Sequence, residues 1–117
     1  MNYRTRQEIF DIVARHLLTQ GERSTAPKLG CAYRDGSGRK CAIGALIPDD
    51  LYSRDLEGFR ADSPCILKAA NIDASDGLFA AGLQDVHDKY LPHEWREKLE
   101  GWASTYNLSP AVLGDFA

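Results

Sequence analysis

Apolar residues recur at three- and four-residue steps from Thr5 to Gln20, where Ile9, Ile12, Val13 and Leu17 form a stripe that Phe10 and Leu18 widen. Thr5, followed three residues later by Glu8, is a capping box, and Gly21 is a natural C-terminal stop. The spacing predicts an amphipathic helix. In the C-terminal half, Leu78 or Phe79, Leu83, Val86 and Tyr90 share a second stripe that begins after the polar Asp73 to Asp76 cluster and breaks at Leu91-Pro92. A following helix opens with Pro92 in its first turn and points Trp95, Leu99, Trp102 and Tyr106 inward as a core stripe. Ser109-Pro110 then caps a last short turn with Val112 and Leu113 inward.

Between these helices the period changes. The stretch Cys31 to Ile47, CAYRDGSGRKCAIGALI, places two strand-like runs around an Asp-Gly-Ser-Gly turn and predicts an antiparallel β-hairpin. Ala42 to Ile47 is apolar on both alternating faces, as in a strand buried between layers, and Pro48 ends it. Two registers fit. Pairing Arg34 with Arg39 sets Ala32 opposite Cys41, whereas pairing Arg34 with Gly38 sets Cys31 opposite Cys41. Glu22 to Gly30 reads as a loop, Leu51 to Gly58 as one helical turn or an irregular connection, and Pro64 to Ala70 as a short helix with Ile66, Leu67 and Ala70 inward. The expected fold is a single α+β domain over residues 1–117: an N-terminal helix, a small antiparallel β-hairpin at about 31–47 and a C-terminal helical hairpin packed on it.

Composition narrows the class. At 117 residues and 44% apolar content the chain buries one core without staples. The N-terminus lacks the apolar run of a secretory signal, and no segment approaches the roughly eighteen apolar residues of a membrane span, so a soluble, cytoplasmic protein is expected. Three cysteines, an odd number, read as free thiols. A net charge of −3 argues against generic attraction to nucleic acid or membrane. Residues 1–60 hold ten Lys/Arg against eight Asp/Glu while residues 61–117 hold four against nine, so the hairpin region is the relatively basic part.

Three groups of residues carry candidate chemistry. Tyr33, Arg34, Arg39 and Lys40, with Lys28 nearby, surround the glycine-rich turn, where guanidinium forks suit phosphate and a tyrosine face stacks a base. Gln84, His87 and Asp88 share one helical face, so His87 is a candidate base for a Cys41 or Cys31 thiolate, with Asp88 as orienter. The same face also reads as a packed polar junction between helix and hairpin. A metal site from Cys31, Cys41, His87 and Cys65 or His93 has the right ligand types but no standard spacing, and no metal or other cofactor is expected.

Cys31-x-Tyr33-Arg34, the run Gly38-x-Lys40-Cys41-Ala42-Ile43-Gly44-Ala45-Leu46-Ile47-Pro48-Asp49, then Tyr52, Glu57-Gly58 and Leu83-Gln84-x-Val86-His87-Asp88 resemble a group of short bacterial and phage- or prophage-encoded proteins of unknown function. The likeness runs from the first helix to about Tyr106. It implies an accessory gene product that acts by binding, including blocking a host defence complex or sequestering a nucleotide signal. The expected function is therefore a small non-enzymatic binding protein for a host protein or a phosphorylated ligand held by Tyr33, Arg34, Arg39 and Lys40. The alternative is a cysteine-dependent hydrolase or transferase. An exposed hairpin edge offers a route to a homodimer.

Overall fold

The computed structural model describes residues 2–26 and 30–116. Four α-helices carry the fold: α1 (Arg6–Gln20), α2 (Pro64–Ala69), α3 (Gly77–Lys89) and α4 (Trp95–Thr105), with 3-10 turns at Gly44–Leu46, Arg54–Leu56, Ala74–Asp76, Pro92–Glu94 and Ala111–Phe116. The central element is α1, which packs against α3, α4 and the turns at 44–46 and 111–116.

The capping box closes α1 as expected. Thr5 Oγ1 accepts from the Glu8 N–H at 3.1 Å, and the Glu8 carboxylate accepts from the Thr5 N–H at 2.9 Å. Gly21 ends the helix in the left-handed region at φ 67° and donates to the Leu17 carbonyl. Ile9, Phe10, Val13, Ala14 and Leu17 are buried on the inner face. In α3 the core position is Phe79, while Leu78 is 80% exposed. Trp95 and Leu99 of α4 are buried, and Trp102 packs partly buried with Phe79 and Tyr106, its ring lying over the bare backbone of Gly82.

The expected α+β class is overturned: the fold is all-α. Among the described residues, extended pairing is confined to β1 (Thr25–Ala26) against β2 (Gly30–Cys31), two residues a side, and an isolated bridge between Arg34 and Lys40. That bridge matches neither predicted register, and no β-hairpin spans 31–47. Ala42 to Ile47 is not a strand but turns through Gly44–Leu46, with Leu46 N–H donating to the Ile43 carbonyl at 2.9 Å.

The reason lies in where the backbone donors go. A hairpin would satisfy them in a ladder, but here side chains accept them: Ser24 N–H on His87, Tyr33 and Arg34 N–H on Glu57, Lys40 N–H on Gln20 and Ile43 N–H on Gln84. Gln20 also donates to the Lys40 carbonyl at 2.8 Å, so its amide pairs with Lys40 as a neighbouring strand would. Gly44 lets the turn close. A Cβ there would overlap the Tyr33 carbonyl.

Candidate functional site

The four residues expected to hold a phosphorylated ligand flank one turn in sequence, but their side chains do not converge on one site. Tyr33 is 6% exposed and its hydroxyl donates to the Phe59 carbonyl at 2.6 Å, which leaves no open face for a base. Arg34 donates to the Ile47 carbonyl at 2.8 Å, pairs with Asp49 and lies 4.5 Å over the Tyr52 ring. Arg39 pairs with Asp35 at 2.8 Å and with Glu22 at 3.2 Å. Lys40 turns toward α1, where it lines an open groove of about 610 Å³ with Arg15 and His16. Its ammonium has no ion pair among the described residues. Lys28 and the Cys31 side chain lie outside the described residues.

On α3 the spacing does bring Gln84, His87 and Asp88 together. Asp88 Oδ1 accepts from Gln84 Nε2 at 2.9 Å and from His87 Nδ1 at 2.7 Å. His87 is fully buried and stacked 5.5 Å from Trp95, and its Nε2 accepts the Ser24 N–H at 3.0 Å. A ring that accepts at Nε2 carries its proton on Nδ1, so Asp88 selects the tautomer that Ser24 needs. Both nitrogens are thereby committed to structure. Cys41 is 1% exposed, and burial pushes its thiol well above the usual range; its sulfur accepts from the Gly44 N–H at 3.4 Å. A protonated, buried thiol without a free imidazole beside it is not an activated nucleophile. Cys65 is exposed, and no cluster of three or more His, Cys, Asp or Glu suited to a metal occurs among the described residues.

What reading the sequence missed is Glu57. Its Oε1 accepts from Tyr33 N–H at 2.9 Å, and its Oε2 from Arg34 N–H at 3.1 Å and the Tyr52 hydroxyl at 2.6 Å. Desolvation first, and the bond to Glu57 second, raise the Tyr52 phenol to about 12. Together Glu57 and Arg34 clamp the loop 48–61 at both ends of Tyr52. Within the clamp the chain shelters little core: Leu51 and Phe59 are 52% and 53% exposed, with Arg54 and Arg60 beside them on the surface. Beneath the loop lies a pocket of about 200 Å³ with Cys41, Gln84 and Asp88 below, Tyr33 at the side and Phe59 and Arg60 above.

No family model, curated protein or solved structure matches the chain. No helix among the described residues is long and apolar enough to cross a membrane.

Proposed function

We propose that the protein is a non-enzymatic binding protein that engages a protein partner through the loop 48–61. The observation that carries this reading is the clamp: one carboxylate, one guanidinium and two tyrosines are spent on holding an irregular surface segment still. A loop fixed in advance loses little conformational entropy on binding, and rigidly presented aromatic and arginine side chains are the usual anchors of protein interfaces. Phe59, Leu51, Arg54 and Arg60 supply that set. The engaged state of His87 and the buried Cys41 thiol favour binding over cysteine catalysis, and the likeness to phage and prophage proteins adds a host protein complex as the class of partner.

The test is a photo-reactive residue at position 59 or, as control, at position 78, expressed in a bacterial host. A discrete crosslinked partner from position 59, lost when Leu51→Ser and Arg54→Ser are combined while the melting temperature is unchanged, supports the proposal. Crosslinks confined to position 78, or capture indifferent to the paired substitutions, overturn it.

A further inference from the structure

Of the cations that the fold half-buries, Lys40 differs from the rest. Among the described residues, Arg4 and Arg23 donate to carbonyls, Arg34, Arg39 and Arg96 pair with carboxylates, and Lys98 lies 4.6 Å over the Tyr90 ring. The Lys40 ammonium has no such partner among them. Its backbone, by contrast, is pinned to α1 at both polar groups. The Lys40 N–H donates to Gln20 Oε1 at 2.9 Å, and the Lys40 carbonyl accepts from Gln20 Nε2 and from the His16 ring at 2.8 Å each. Burial strips water from a charge, and that cost is recovered when an opposite charge arrives. A lysine fixed at its root and without a counter-charge at its tip is prepared for an anion.

The groove that Lys40 lines sets the rest of the ligand. At about 610 Å³ it lies within the roughly 300–1,000 Å³ of small-molecule sites. Ile12 and Ala45 give it an apolar stretch, and Arg15 brings a second cation, paired with Asp115 at 2.8 Å and lying 5.8 Å over the Phe116 ring. Asp11 also lines the groove, its carboxylate accepting from Gln7 Nε2 at 2.9 Å. It precedes His16 and Gln20, the two residues that hold Lys40, by five and nine positions, which is roughly 7–14 Å of helix rise. One end of the groove therefore attracts an anion and the other repels one. We infer that the groove binds a small organic anion, a phosphate or carboxylate head on an uncharged body, with the head on Lys40 and the body over Ile12 and Ala45. The site uses no residue of the loop 48–61 and stands independently of that loop's role. Asp115 competes with the ligand for Arg15, so the C-terminal turn tunes the affinity.

Hexyl phosphate and hexanoate are the probes, with hexanol as the control for the missing head and adipate as the control for a second charge, titrated into the full chain and followed by amide chemical shifts. Saturable shifts at Ile12, Thr19 and Ala45 are expected from both probes at millimolar concentration and from neither control, and the tighter probe names the head group. Lys40→Met keeps the aliphatic stem and both backbone bonds, and should weaken binding about tenfold with the melting temperature unchanged. Should that variant fold poorly, Asp115→Asn tests the same site from an exposed side chain by freeing Arg15, and tightens binding roughly threefold. Shifts from hexanol or adipate equal to those from the probes, no saturable shift from either probe, or binding indifferent to Lys40→Met, or to Asp115→Asn in its place, overturns the inference.

Discussion

The helical layer and the irregular segment made of residues 24–26 and 30–62 are held by different physics. In α1, α3 and α4 the backbone satisfies itself and apolar stripes meet across the core, so many small contacts share the work. In the segment, five backbone amides depend on four side chains distant in sequence, His87, Glu57, Gln20 and Gln84. A packed stripe tolerates the loss of one contact, whereas a buried N–H left without its acceptor costs about 1–3 kcal/mol outright. The segment is therefore shaped by few residues and is correspondingly sensitive to each.

The sharpest way to break the contrast is to add one methyl group to each region. Gly44→Ala drives a Cβ into the Tyr33 carbonyl, a backbone atom with nowhere to go, and should cost about 3 kcal/mol or more by urea unfolding. Gly82→Ala meets the Trp102 ring, a partly buried side chain that repacks, and should cost about 2 kcal/mol. Equal losses would erase the distinction. Glu57→Gln removes the charge-assisted bonds to Tyr33, Arg34 and Tyr52 together, with an expected loss of about 2 kcal/mol and faster proteolysis within 48–61.

Alkaline pH sharpens the comparison, because the groups raised by burial all belong to the segment: Cys41, Tyr33 and Tyr52. The unfolded chain gives up these protons first. Stability is thus intact below pH 9 and falls as pH climbs from the ordinary values of 9.0 for the thiol and 10.0 for the phenols. Tyr52→Phe should cost about 1 kcal/mol at neutral pH and flatten the decline between pH 10 and about 12, the range over which the Tyr52 phenol is shifted. The smallest effect belongs to the exposed Arg15–Asp115 pair of the helical layer, where Arg15→Ala should change stability by about 0.5 kcal/mol or less.

The same contrast governs what was legible in the sequence. A helix announces itself locally, through the 3.6-residue period and through Thr5, Glu8 and Gly21, and α1 lies where those residues put it. The segment has no local signature. Six apolar residues from Ala42 describe a buried strand and a buried turn equally well, and the acceptor that decides for the turn, Gln84, lies 41 residues further on. Nearness in sequence is no guide at the candidate site either: Tyr33 and Lys40 flank one turn, yet one faces the core and the other α1. Where spacing carries the information, as for Gln84, His87 and Asp88, the grouping was readable. Glu57 has no such signal, because a lone acid among loop residues does not reveal that its partners are two backbone amides and a phenol.

Side-chain acceptors stand in for a strand ladder and hold the loop 48–61 still. Native-state hydrogen exchange at Ser24, Tyr33, Arg34, Lys40 and Ile43 tests it most directly. Protection at these five amides within the range of α1 and α3, lost at Tyr33 and Arg34 in Glu57→Gln while the helices keep theirs, is the predicted result. Exchange of these amides at the rate of an open loop in the wild-type protein would contradict it.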